Sequence, residues 1–105
     1  MTQNSMIAGL PPVHPGELLR EDVLPGLDFG KAELARRLHI SRQSLYDLLD
    51  GKQSVTAQMA LRLGRLFGNG PNLWLGMQQT YDLKIAEAQL ADELATIEPI
   101  PSAAT

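Results

Sequence analysis

Apolar residues in this chain recur at three- and four-residue intervals, the spacing of one face of an α-helix, and no stretch alternates as a half-buried strand does. Proline, glycine and capping residues cut the pattern into five helices. Residues 1–13 contain Gly9, Pro11 and Pro12 without periodicity and read as a tail. A helix begins at His14-Pro15-Gly16-Glu17: proline suits a first turn, where its missing N–H would be unpaired anyway, and Glu17, Glu21 and Asp22 lie near the positive end of the helix dipole. Leu18, Leu19 and Val23 supply its buried side, and Pro25-Gly26 stops it. A second helix runs from Lys31 to Leu38 behind a Gly30 cap, with Leu34, Ala35 and Leu38 on one face. Ser41 caps a third, whose Leu45, Leu48 and Leu49 stand at i, i+3 and i+4 before Gly51. Thr56 caps a fourth carrying Ala60, Leu63, Leu66 and Phe67. Pro71 opens a fifth through Leu73, Trp74, Met77, Tyr81 and Ile85 towards Ala95, and Pro99 and Pro101 mark a second tail. The expected fold is all-α: one domain over residues 14–96, between tails at 1–13 and 97–105.

The second and third helices carry the most specific spacing. With Lys31 as the first of twenty positions, Leu34 and Ala35 fall at four and five, Leu38 at eight, Ile40 at ten, Leu45 at fifteen and Leu48 at eighteen. That is the burial pattern of a helix-turn-helix: a small residue at Ala35 lets two short helices cross closely, and the larger side chains fill the wedge between them. The outer face of the third helix is then free to project. Arg42, Gln43 and Ser44 in its first turn, with Tyr46 and Asp47 one turn on, are the candidates for reading base edges, because arginine matches guanine O6/N7 and glutamine adenine N6/N7. Lys31, Ser41, Lys52, Gln53 and Ser54 are the candidates for phosphate contacts. Generic helical hairpins imitate this burial spacing, so the pattern alone leaves an ordinary solvated first turn open.

Charge sharpens the picture. The net charge of −3 argues by itself against an acidic partner such as DNA. Its distribution reverses that argument: residues 31–65 hold seven basic and three acidic side chains, a balance of +4, and the rest of the chain holds two against nine, a balance of −7. A basic middle between acidic ends suits one surface to an anionic partner and another to a cationic one. The length of 105 residues fits one small domain, and 44% hydrophobic with 20% charged residues is a globular composition. Cysteine is absent, which removes disulfides and thiolate metal sites and fits a reducing compartment. With no apolar run long enough to span a bilayer and no signal-peptide pattern at the start, the expected location is the cytoplasm.

Catalytic candidates are thin. His14 and Glu17 are two potential ligands three residues apart, which is not a metal site, and the simpler reading is a helix-start residue beside a first-turn carboxylate. His39 reads as a turn residue. Trp74, Met77 and Tyr81 at helical spacing read as core rather than as a cofactor box. No phosphate loop or nucleophilic triad is nominated, so neither enzyme activity nor a cofactor or metal is expected.

The segments His14-Pro15-Gly16-Glu17-Leu18-Leu19-Arg20-Glu21, Ala32-Glu33-Leu34-Ala35-Arg36-Arg37-Leu38, Ser41-Arg42-Gln43, Leu48-Leu49-Asp50-Gly51-Lys52, Thr56-Ala57-Gln58-Met59-Ala60-Leu61-Arg62-Leu63, and Trp74-Leu75 with Tyr81-Asp82-Leu83 together resemble the HigA-type antitoxins of the Xre/Cro-like helix-turn-helix group. The resemblance covers residues 13–83. It implies a five-helix, lambda-repressor-like domain with an extended C-terminal helix, in a homodimer that neutralises a co-encoded RelE-like endoribonuclease toxin and represses its own operon. His39 stands where such proteins normally carry glycine in a left-handed turn, a conformation histidine tolerates better than most side chains. Within this reading Glu17, Glu21 and Asp22 are the candidate toxin contacts, on a face opposite the DNA, with Met6, Ile7 and Leu10 of the tail beside them. Leu83, Leu90 and Leu94, at i, i+7 and i+11 late on the fifth helix, are the candidate dimer seam; the alternative is that they pack back on the first helix. Two other functions stay open: a solitary transcriptional regulator, and a protein-binding module whose DNA affinity is weakened by Asp47 and Asp50.

Overall fold

A computed structural model describes residues 12–101 of the chain. Met6, Ile7 and Leu10, and with them nearly all of the expected N-terminal tail, lie outside the described residues. The first helix, α1, begins with His14 as its cap and is regular over Pro15–Leu18. It then widens into a π-helical turn at Leu19–Val23 and tightens into a 3-10 turn at Leu24–Gly26. Pro25 gives the change of pitch a cause, because it has no N–H to offer the Glu21 carbonyl and its ring crowds that carbonyl in a regular helix. The remaining helices are α2 (Lys31–Leu38), α3 (Arg42–Leu49), α4 (Ala57–Phe67) and α5 (Pro71–Thr96). Five helices and no strand make up the described residues, as the periodicity predicts.

Local chemistry sets most of the boundaries. Ser41 and Thr56 accept the N–H groups of Ser44 and Met59, at 3.0 and 3.2 Å, and so cap α3 and α4. Gly68 ends α4 in the left-handed conformation that glycine adopts without penalty. The core is the set Leu19, Leu34, Ala35, Leu38, Leu45, Leu48, Leu49, Val55, Ala60, Leu63 and Trp74, contributed by all five helices and the loop before α4. Of the predicted buried side of α1, Leu19 is fully enclosed whereas Leu18 and Val23 are only half-buried. The change of pitch accounts for this, since it breaks the spacing on which a single buried face depends.

Two long-range features hold the frame. Gly16 lies so close to the backbone carbonyl of Leu48 that no Cβ fits between them, which presses α1 against α3. Gln78 on α5 is 4% exposed; it accepts the Val55 N–H at 2.8 Å and donates to Asp82 at 3.0 Å, tying the loop that leaves α3 to the long helix. The molecule measures 52 × 29 × 23 Å because α5 runs on beyond the core. Leu73 and Ile85, expected in the buried stripe of α5, are exposed, since only one narrow side of that helix meets α1 and α4.

Candidate nucleic-acid interface

The α2–α3 hairpin turns at His39, which adopts φ 60° and ψ 41°, the left-handed geometry its position demands. Its N–H donates to Arg36 at 3.1 Å and the Ile40 N–H to Ala35 at 3.0 Å, closing the last turn of α2. Arg62 reaches across from α4 to donate to the carbonyls of Leu38, at 3.0 Å, and His39, at 3.4 Å. The sequence gives Arg62 no role beyond its place in the Thr56–Leu63 segment; here it clamps the turn, a role set by contacts 23 and 24 residues apart in the chain.

The cations of the middle segment divide by partner. Arg36 and Arg37 both donate to Glu33, which holds that carboxyl well below its usual range, at about 2. Arg37 also stacks on the Phe29 ring at 4.1 Å. Lys31 lies 5.6 Å from the centre of the Tyr46 ring, joining the first residue of α2 to the outer face of α3. Arg42 and Lys52, at opposite ends of α3, make no ion pair among the described residues and are exposed. Gln43 and Tyr46 are exposed beside them, with Ser44 and Asp47 half-buried.

The acids near α3 are engaged as well. Asp47 accepts from the Gln43 amide at 2.9 Å, and its backbone carbonyl accepts the N–H groups of Lys52, at 2.8 Å, and Gln53, at 3.2 Å. Asp50 lies 4.0 Å from Arg20, which also donates to the last carbonyl of α3, that of Leu49, at 3.0 Å. Lys52, Gln53 and Ser54 follow in an exposed loop whose far end, Val55, is fastened by Gln78. The arrangement is a short helix with an exposed, polar first turn, cations at either end, and a backbone fixed from α1, α4 and α5. Helices so placed in DNA-binding proteins insert side chains into the major groove while flanking cations meet the backbone phosphates.

Comparison with known proteins decides the family. Virulence-associated protein I of Dichelobacter nodosus is 42% identical over 78 residues, which are 74% of this chain and 72% of that protein. The Pseudomonas aeruginosa antitoxin HigA, solved with the higBA promoter, superposes with a TM-score of 0.79 at 37% identity, over 85% of this chain and 98% of that one. An addiction module antidote protein of the HigA family from Coxiella burnetii gives 0.80 at 34% identity, over 87% of this chain and all of that one, 100%. The chain belongs to the HigA-type antitoxin family of helix-turn-helix proteins. No family model matches it.

As a HigA-type protein it belongs among DNA-binding antitoxins and regulators, not enzymes. His14 acts as the helix-start residue the sequence predicts: its Nδ1 accepts the Gly16 N–H at 2.9 Å and caps α1. The acidic residues of α1 do not share one face opposite α3. Glu17 opens, with Arg20, Asp50 and Gly51, onto a recess at the C-terminal end of α3, because the close approach at Gly16 brings α1 there. Glu21 pairs with Arg20 at 2.8 Å, and Asp22 borders a separate apolar groove between α1 and α5. Leu83, Leu90 and Leu94 do not pack back on α1; they are 64%, 43% and 44% exposed on the projecting part of α5. No helix among the described residues is long and apolar enough to cross a membrane.

Proposed function

We propose that this HigA-type protein is an autorepressing antitoxin: a homodimer that reads an operator through α3 and neutralises a basic, RelE-like endoribonuclease encoded beside it. The observation that carries the reading is the solvent-exposed first turn of α3, where Arg42 and Gln43 are exposed and Ser41 supplies the cap. Arg42 reads guanine, and Gln43 with Ser44, Tyr46 and Asp47 completes the base-facing surface. Lys31, Ser41, Lys52, Gln53 and Ser54 hold the duplex through its phosphates. The promoter bound to the similar Pseudomonas antitoxin supports the same assignment here. The acidic balance outside residues 31–65, with Glu17, Glu21 and Asp22 exposed on α1, favours capture of a cationic ribonuclease.

One experiment with two readouts tests this. In fluorescence anisotropy on the native promoter, Arg42→Ala costs on the order of 1–3 kcal/mol and relaxes preference at one base pair, whereas Lys52→Ala weakens all sequences alike and flattens the salt dependence. Equal binding of wild-type protein to scrambled DNA rejects operator reading. In co-expression with the neighbouring basic reading frame, wild-type protein relieves growth arrest, and reversing Glu17, Glu21 and Asp22 to Lys restores the arrest while base preference persists. Undiminished relief by that variant excludes α1 as the toxin surface.

A further inference from the structure

The Gln43 side chain is not free to choose which way round it meets a base. Its Nε2 donates to Asp47 Oδ1 at 2.9 Å, one helical turn further along α3. A carboxylate only accepts, so the amide nitrogen must face Asp47, and Oε1 is left pointing away without a hydrogen-bond partner among the described residues. Asp47 stands on a fixed main chain: it is half-buried, and its backbone carbonyl accepts from the Lys52 and Gln53 N–H groups where the chain leaves α3. An unanchored glutamine offers the two orders of donor and acceptor equally and loses rotamer freedom on contact, which erodes its discrimination between bases.

We propose that Asp47 is the positioning residue for base reading by Gln43, locking the amide so that its free edge selects adenine. The adenine N6 amine donates to Oε1, and the remaining Nε2 hydrogen is donated to N7. This rests on α3 being the base-reading helix. It gives a carboxylate on a DNA-facing helix a use: Asp47 costs some affinity for every sequence through phosphate repulsion, and returns discrimination at one position.

The test is selection from a random duplex pool, followed by affinities for the selected site with each base in turn, using wild type, Gln43→Ala, Asp47→Ala and Asp47→Asn. Wild type is expected to show one adenine position that Gln43→Ala abolishes. Asp47→Ala lowers the adenine preference there by about tenfold, leaves the other positions as they were, and binds unselected DNA as well as wild type or better. Asp47→Asn keeps the size and place of the side chain but offers a donor as well as an acceptor, so the Gln43 amide is no longer held one way round and the adenine preference falls there too. An adenine preference unchanged in Asp47→Ala overturns the inference, as does an equal loss at every position, which marks a merely structural role. Loss of a cytosine preference at a different position overturns it in favour of direct reading by Asp47. If wild type selects no sequence, the assignment of α3 fails first, and the inference with it.

Discussion

His14 does its work in the neutral form. The ring nitrogen that caps α1 must be without its proton to accept from Gly16, and the ring stands edge-on to Tyr81 at 5.0 Å. Burial lowers its pKa from 6.5, against the opposing pull of Asp82, the Gln53 backbone and Glu17. The unfolded chain therefore binds the proton more readily than the folded one just below pH 6.5. Stability from this group is complete above that pH and is lost as pH falls through the lowered folded value. The urea midpoint is expected to drop on acidification across this window, and His14→Asn, which keeps a capping acceptor, should flatten that part of the slope even where its stability is lower overall. An unaltered slope in the variant would assign the pH dependence elsewhere. The sequence marks His14 as a helix-start residue, and no more, because an imidazole cap is outside the usual set of Ser, Thr, Asp and Asn. The left-handed turn at His39 was legible through the family resemblance, in which that position normally carries glycine.

Helix boundaries with a local cause were readable, and features with a distant cause were not. Ser41, Thr56 and Gly68 act on their own helices, and α3 and α4 begin, and α4 ends, where these residues place them. By contrast the burial of Val55 beneath Gln78 and the clamp by Arg62 depend on residues far apart in the chain, and no short-range pattern encodes them. The same division applies to the site. The candidate reading residues follow from helical phase and are exposed or half-exposed together on α3, and the Glu33 pairs with Arg36 and Arg37 stand at the i+3 and i+4 spacing of one helix, whereas the approach of Lys31 to the Tyr46 ring across the hairpin had to be seen in three dimensions. Gly16 is the sharpest case at this scale. Its lack of a side chain sets how closely α1 crosses α3, so Gly16→Ala forces backbone against the Leu48 carbonyl. The expected loss is about 3 kcal/mol, at the upper end of overpacking costs because a carbonyl in a helix has little room to retreat. Gly26→Ala, where an added Cβ meets nothing, serves as the control and should be close to neutral. Urea unfolding of both variants measures the difference, and equal midpoints would show that the crossing has slack.

At the scale of the molecule, the shape itself raises a question of partners. The 26-residue α5 is about 39 Å long at 1.5 Å per residue, and its later part carries Leu83, Leu90, Leu94 and, just past its end, Ile97, all exposed. Side chains of that size at i, i+7 and i+11 form a stripe that water solvates poorly, and a second copy of the chain is the occupant of the proposed dimer. The DNA side makes the same demand independently. One eight-residue reading helix spans only a few base pairs, so discrimination of an operator calls for two of them, about 34–36 Å apart, on half-sites one DNA turn apart. Light scattering at micromolar concentrations should then give twice the chain mass of 11.5 kDa. Leu90→Glu combined with Leu94→Glu should return the single-chain mass and leave the helical content unchanged, because neither side chain belongs to the core. On DNA, the double variant should bind a half-site as wild type does and lose the steep extra affinity for a full inverted repeat. A single-chain mass for the wild type, or a double variant that still pairs and still favours the inverted repeat, would remove α5 as the dimer seam.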